Sequence, residues 1–270
     1  MLGGGGARGL ARIGVIKVLE ENQIPISYLA GCSMGGLIGA LYSVGYKSSE
    51  IEKLAMKFSN NREMIKVIDR TPTRKGIISG IRLRKYFENY VPEDLLASDT
   101  SIPLILNAVD IVTGKEIELT DGRLIDNIMA TTSVPGFFPP VEIGPYRLVD
   151  GGMLDDVPVK YLTTKPLDLI IAVDVHQSID TFDLSNQASR EHIPLPIPQF
   201  MQNLYRVEMI VTTTLIKKNL EEYPPDLLIQ PELPSDVSLF FGFNKAAEII
   251  EAGYQAMADK MPDLKTLLFQ

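Results

Sequence analysis

An α/β fold around a largely parallel sheet is the architecture this sequence predicts, and three observations carry the prediction. Helix-period and strand-like segments alternate along most of the chain, the pattern of helices laid on a sheet. Residues 167–175 (LDLIIAVDV) are apolar at nearly every position, as a strand buried on both faces must be. Residues 28–37 (YLAGCSMGGL) pass from an apolar strand-like lead-in to a helical run through a serine flanked by glycines.

Taken in order, residues 8–21 read as a helix with Arg12, Lys17, Glu20 and Glu21 on one half of the wheel and the rest toward a core. Residues 26–30 form a short strand into the serine turn, and 35–44 continue as a helix that ends at Gly45. A helix over 48–58 has Ser48 or Ser49 as its N-cap. Residues 102–110 and 115–119 are strands joined by a turn at Thr113-Gly114, and 123–130 form a helix. A strand over 146–149 delivers Asp150-Gly151-Gly152. Residues 177–199, polar and then proline-rich, read as a long loop. Helices over 200–220 and 244–261 complete the chain. With no internal repeat and no convincing linker, residues 1–270 are expected to form one domain.

At 270 residues, 45% hydrophobic and 22% charged, the chain can bury a substantial core. A net charge of −8, from 26 basic and 34 acidic residues, disfavours a general nucleic-acid role. Within residues 62–85 basic side chains dominate, with only Glu63 and Asp69 opposing them. A solvated face is the plainer expectation there than a docking site for anionic lipid headgroups. One cysteine, Cys32, excludes an intramolecular disulfide framework and fits a reducing compartment. No charged leader with an apolar core and no membrane-length apolar run is visible. The expected location is the cytoplasm, with any membrane contact peripheral.

Three motifs carry chemistry. Gly31, Ser33 and Gly35 spell G-x-S-x-G between strand and helix, the nucleophile elbow, where a sharp turn lifts the hydroxyl toward a pocket. The flanking glycines avoid side chains that would collide with strand and helix. Before it, Gly3 to Gly6, Ala7, Arg8 and Gly9 open the first helix, so backbone N–H groups can converge on an oxyanion. The same loop formally matches the dinucleotide fingerprint G-x-G-x-x-G. That reading needs a preceding strand and an acid about 20 residues on, whereas only Met1 and Leu2 precede, and Glu20 and Glu21 lie within the helix. Third, Asp150-Gly151-Gly152 follows a strand; it is either a simple turn or a general base for Ser33. A Ser33, Asp150, His176 triad is formally available, His192 falls in the long loop, and a desolvated Ser-Asp dyad can work without either histidine.

The ordered trio GGGARG (4–9), GCSMG (31–35) and DGG (150–152) resembles the patatin-like phospholipase family, particularly its compact bacterial members. The similarity extends over about residues 3–176, including LARIGVIKVLEE, LIGALYSVGY and ATTSVPGFFPP, and is less distinctive over 177–270. The resemblance implies a three-layer α/β/α fold and a dyad that hydrolyses fatty-acyl esters of lipids, with no cofactor and no metal. Ser33 would be the nucleophile that forms an acyl-enzyme and Asp150 the base. The Gly4, Gly5 and Gly6 backbone would form the oxyanion hole. Gly9, Gly31, Gly35, Gly151 and Gly152 are the motif glycines, and Arg8 either biases the loop electrostatically or pairs with a carboxylate. Two departures stand out: Met1-Leu2 replaces a full apolar strand, and Cys32 and Met34 flank Ser33 where small residues or Thr are common. Residues 134–140 and the helix over 200–220 are candidate pocket walls. A regulatory or adaptor protein of the same fold is the competing expectation.

Overall fold

The structure is a computed structural model that describes residues 1–60, 63, 66–67, 69, 78–176, 199–237 and 242–269. Residues 177–198 of the expected loop, with His192, lie outside the described residues. A 3-10 turn at Gly6–Leu10 leads into α1 (Ala11–Glu21), followed by β1 (Leu29–Gly31), α2 (Ser33–Ser43), α3 (Ser48–Phe58) and α4 (Ile81–Phe87). Then come β2 (Leu104–Asp110), β3 (Lys115–Leu119), α5 (Leu124–Thr131), β4 (Val141–Ile143), β5 (Tyr146–Asp150) and the one-turn α6 (Lys160–Thr163). The chain continues through β6 (Ile171–Val173), α7 (Gln199–Glu222), β7 (Leu227–Ile229) and α8 (Ala246–Leu268).

Successive strand residues point to opposite faces, and the core divides accordingly. Leu2, Leu29, Leu104, Leu106 and Val173 join the apolar residues of α1, α2, α3, α5 and α8 in one cluster. Their chain neighbours Met1, Ala30, Ile105 and Ala172 join Val159, Leu162 and Ile216, so α6 and α7 cover the other face. The result is the three-layer α/β/α arrangement.

Pairing is parallel where the sheet is most buried. β1 runs parallel to β2, and β6 to β7. Leu2 is seated between these pairs, with parallel bridges to Gly31 and Val173. Its N–H donates to the Ala30 carbonyl at 2.9 Å and its carbonyl accepts from Cys32 at 3.1 Å, while the Met1 carbonyl accepts from Val173 at 3.1 Å. Met1 and Leu2 thus join the two parallel strand pairs through backbone hydrogen bonds. The antiparallel arm is made by β3, β4 and β5. β4 was not expected; it pairs with β5 through a hairpin at Gly144, whose φ of +55° suits a residue without a Cβ.

Three sequence expectations change. The strand over 167–175 contributes only Ile171–Val173 to the ladder. Lys47, rather than Ser48 or Ser49, caps α3: its N–H donates to the Glu50 carboxylate at 2.8 Å, an acid within the first turn. Arg12 is fully buried instead of lying on a polar face. Its guanidinium lies against the Val173 carbonyl, at 3.3 Å, beneath the glycine loop and near Asp156 and Asp174. The opposite side of α1 packs closely on α8. A Cβ on Gly253 would stand 1.8 Å from the Ala11 carbonyl oxygen, and one on Gly14 2.0 Å from that of Ile250, so the two backbones are in contact. Gly253→Ala must force these helices apart, and it is expected to cost at least ~2 kcal/mol in equilibrium denaturation. An unchanged midpoint would show that the helices do not pack this closely.

Candidate active site

Both edges of β2 are used, and this determines the site. β3 pairs along one edge from Leu106 to Asp110. Leu106 also pairs with Gly31 of β1, and Ala108 with Asp150 of β5, so both partners lie on the opposite edge. β1 runs parallel to β2 and β5 antiparallel, so the two strands approach one another along that edge and stop on either side of Asn107. Whatever follows Gly31 must meet Asp150. In the structure the Ser33 hydroxyl donates to Asp150 Oδ2 at 2.6 Å.

The elbow holds Ser33 in the left-handed region, φ +49°, a conformation that costs a non-glycine residue about 1–2 kcal/mol. Close contacts enforce it. A Cβ on Gly35 would meet the carbonyl oxygens of Gly3 and Leu2 at 2.1 and 2.2 Å, and one on Gly31 would stand 2.7 Å from Gly36 Cα. The Ser33 N–H donates to Thr131 Oγ1 at 2.9 Å, tying the turn to the end of α5. Cys32 is buried, and burial, with Asp150 and Asp156 nearby, raises its thiol well above the ordinary range. It stays protonated, with Sγ 3.5 Å from Asp150 Oδ1.

Asp150 is buried, and its other oxygen accepts from the Gly152 N–H at 2.9 Å. Burial pushes its carboxyl up to about 7; the Ser33 hydroxyl opposes the rise and the Asp156 charge adds to it. Asp156 is the hub of the surrounding network. It accepts from the Gly4 N–H at 2.8 Å and faces His176 Nε2 at 3.4 Å. The other imidazole nitrogen lies 2.9 Å from Asp174 Oδ1. Burial alone would lower the His176 pKa, but Asp156 and Asp174 outweigh it and raise it. His176 thus shares the cavity with Ser33 while both ring nitrogens face Asp174 and Asp156. Arg8 is buried and its Nε donates to the Val237 carbonyl at 2.8 Å, binding the loop to the segment before α8.

The glycine loop divides its amides. Gly4 is committed to Asp156, whereas the Gly5 and Gly6 N–H groups have no hydrogen-bond partner among the described residues. Both have positive φ, +114° and +54°, which aims consecutive amides in ways that only glycine adopts readily. The Ser33 cavity is small, about 30 Å³, and is lined by Gly5, Arg8, Val134, Met153, Glu208 and Thr212 among others. Of the expected walls, the 134–140 segment contributes Val134 and α7 contributes Glu208, Met209 and Thr212. A second cavity, about 660 Å³, shares no residue with the first; it is lined by Lys57, Lys66, Arg82, Lys85 and the aromatic rings of Phe58, Tyr86 and Tyr90. Part of the basic 62–85 segment thus surrounds a concavity rather than a flat solvated face.

Several contributors had little sequence signal. Asn107 had one, a polar residue within an otherwise apolar strand core. Its Nδ2 donates to the Asp155 carbonyl at 2.7 Å, and its side chain occupies the space that Gly151 leaves open. Thr131, Asp156 and Glu208 showed none. Glu208, pushed up to about 7 by burial and by Asp150 and Asp156, places a third acid beside the dyad. Buried Arg12 lies near Asp156 and Asp174, which oppose the lowering of its pKa by burial to about 10. The ligand-type atoms of Cys32, Asp150 and Asp156 lie within 4.8 Å of one another. Their carboxylates already accept from Ser33, Gly152 and Gly4, and Cys32 remains a thiol, so hydrogen bonding accounts for the cluster.

Fold and site define an α/β protein with a serine elbow facing a buried carboxylate. The family model described as patatin-like phospholipase matches residues 1–163, and the chain belongs to that family, one of lipid hydrolases. Patatin-like phospholipase domain-containing protein 7 of Rattus norvegicus is 28% identical over 276 residues, covering 94% of this chain and 20% of its own length. Lysophospholipase NTE1 of Kluyveromyces lactis is 28% identical over 271 residues, covering 94% and 18%. An uncharacterised NTE family protein of Mycobacterium tuberculosis is 32% identical over 177 residues, covering 66% and 48%. The chain spans about a fifth of the length of the first two relatives and about half of the third. The crystal structure of VipD from Legionella pneumophila shares the fold, with a TM-score of 0.53 at 15% identity, covering 95% of this chain and 65% of VipD. Among the described residues, no helix is long and apolar enough to cross a membrane.

The raised Asp150 pKa has a consequence for stability. Its carboxyl titrates near 3.8 when unfolded and at about 7 when folded. Between these values the native state holds a proton that the unfolded chain has lost, so the contribution is full below pH 3.8 and is lost as pH rises through about 7. Asp150→Asn is neutral throughout. Relative to wild type it is expected to gain on the order of 4 kcal/mol between about pH 4 and pH 8. Urea denaturation across that range measures the difference, and a pH-independent difference would contradict a raised pKa.

Proposed function

We propose that this chain is a serine acyl hydrolase that cleaves fatty-acyl esters of lipids through a Ser33–Asp150 dyad. The observation that carries the reading is the 2.6 Å hydrogen bond from Ser33 Oγ to a buried carboxylate whose pKa is about 7. A base poised there is partly ionised at neutral pH and still strong enough to accept a hydroxyl proton. Ser33 attacks the ester carbonyl as Asp150 takes its proton, and the alcohol leaves with that proton. The acyl-enzyme is then hydrolysed by a water that Asp150 deprotonates.

For the developing oxyanion, the unpartnered Gly5 and Gly6 amides are the donors this reading assigns, each worth about 3 kcal/mol in comparable sites. Gly4, expected as a third donor, serves instead to anchor the loop to Asp156. Arg8 positions the same loop through Val237. Membership of a lipid hydrolase family supports a lipid ester as substrate, and a cytoplasmic location with peripheral membrane contact fits it.

Ser33→Ala is expected to lower hydrolysis of a chromogenic fatty-acyl ester by at least ~10³-fold with the fold intact by circular dichroism. Full retained activity would refute the nucleophile assignment. His176→Ala separates dyad from triad. It is expected to retain activity within about tenfold, whereas a loss as deep as that of Ser33→Ala would make the imidazole the base.

A further inference from the structure

The second cavity, about 660 Å³, lies between the end of α3 and α4, and hydrolysis at Ser33 uses none of its residues. Its volume falls within the roughly 300–1,000 Å³ of small-ligand pockets. α4 and the turn after it supply one wall, on which Arg82, Lys85, Tyr86 and Asn89 recur at three- and four-residue spacing and so share a helix face. Lys57 and Phe58, the last residues of α3, face them across the space.

Charge in this cavity is one-sided. The lining holds four cations, Lys57, Lys66, Arg82 and Lys85, against one acid, Glu63, which pairs with Lys66 at 2.5 Å. The other described acids between residues 48 and 91 are engaged elsewhere: Glu50 accepts from the Lys47 N–H, Glu52 pairs with Lys17, Asp69 accepts from Ser79 and the Gly80 N–H, and Glu88 pairs with Arg84. Among the described residues, the Arg82 and Lys85 side chains have no ion-pair or hydrogen-bond partner. Lys57 meets Tyr90, its ammonium 3.4 Å from the hydroxyl and 5.7 Å from the ring centroid. Three cations thus line one space with no carboxylate paired to them.

The remaining lining is apolar or already satisfied. Phe58, Tyr86 and Tyr90 form a packed aromatic wall, with ring centroids 5.0 Å apart for Phe58 and Tyr86 and 5.3 Å for Tyr86 and Tyr90. The Tyr90 hydroxyl donates to that of Tyr86 at 3.4 Å, and the Asn89 amide donates to the Lys85 and Tyr86 carbonyls at 3.0 Å. Apart from its cations, the wall therefore keeps few uncommitted groups with which to read the polar edge of a base or sugar. Cations beside an apolar wall suit an anion carried on a hydrocarbon tail better than a nucleotide.

We propose that this cavity binds an anionic single-chain lipid, with a phosphomonoester head on Arg82, Lys85 and Lys57 and the chain along Phe58, Tyr86 and Tyr90. A dianionic phosphate matches three unpaired cations better than a single carboxylate does. The site shares no lining residue with the Ser33 cavity, so binding requires neither the dyad nor turnover.

Isothermal titration calorimetry of the Ser33→Ala protein with an ether-linked lysophosphatidate, kept below its micelle-forming concentration, tests the assignment. Expected is one lipid per chain, bound about tenfold or more weakly when Arg82→Gln and Lys85→Gln are combined, with the fold unchanged by circular dichroism. The corresponding alkyl glycerol, inorganic phosphate and adenosine monophosphate are each expected to bind at least about tenfold more weakly than the lysophosphatidate. Lys217→Gln with Lys218→Gln makes the same charge change on α7 and is expected to leave binding as it was. No binding, or binding unchanged in the Arg82 and Lys85 variant, overturns the proposal. Equal weakening by the α7 pair reduces the effect to net charge and overturns it too, as does a nucleotide or free phosphate that binds as tightly as the lipid.

Discussion

The unpaired stretch of one edge of β2 is the constraint on which the rest of this structure depends. β1 and β5 run toward each other along that edge and end opposite Leu106 and Ala108. A serine just beyond one strand and an aspartate at the tip of the other are then brought into contact by backbone pairing. The hydroxyl–carboxylate bond does not have to organise the site; the sheet does. Leu2 serves the same geometry, because its bridges to Gly31 and Val173 join the two parallel strand pairs and deliver the glycine loop beside Ser33.

Two unfavourable features persist because the surroundings over-determine them. Ser33 keeps a left-handed backbone since Gly35 lies against the Leu2 and Gly3 carbonyls and Thr131 receives its N–H. Asp150 keeps a carboxyl in a buried position, where ionisation is opposed by desolvation and by Asp156. Removing water from a carboxylate raises its basicity, so the destabilising feature and the chemically useful one are the same. Asp156, His176 and Asp174 form a second network that fixes the glycine loop through Gly4. The histidine that sequence order offered as a triad member faces Asp156 and Asp174 with its two ring nitrogens.

Much of the architecture was legible because it is written in local pattern. The elbow, the Lys115–Leu119 strand and the α3 span Ser48–Phe58 match their sequence expectations, since turn glycines and hydrophobic period act over a few residues. What escaped depends on contacts distant in the chain. Arg12 reads as a surface residue on any helical wheel and is buried because it reaches the Val173 carbonyl and the neighbourhood of Asp156 and Asp174, residues more than 140 positions away. The commitment of the Gly4 amide depends on Asp156, a residue with no local motif. Glu208 projects from a helix whose Met-rich composition suggested core packing or an apolar pocket wall rather than an acid, and β4 follows from a hairpin that its short strands barely announce.

The claim most open to a direct test is that a buried carboxylate activates Ser33. A fluorophosphonate probe read by peptide mass spectrometry reports the site and rate of that activation together. The account predicts labelling at Ser33, a rate that rises with pH through about 7, and loss of labelling when Asp150 is replaced by Asn. Labelling that is unchanged in the Asp150→Asn protein, or that falls on a different residue, would contradict it.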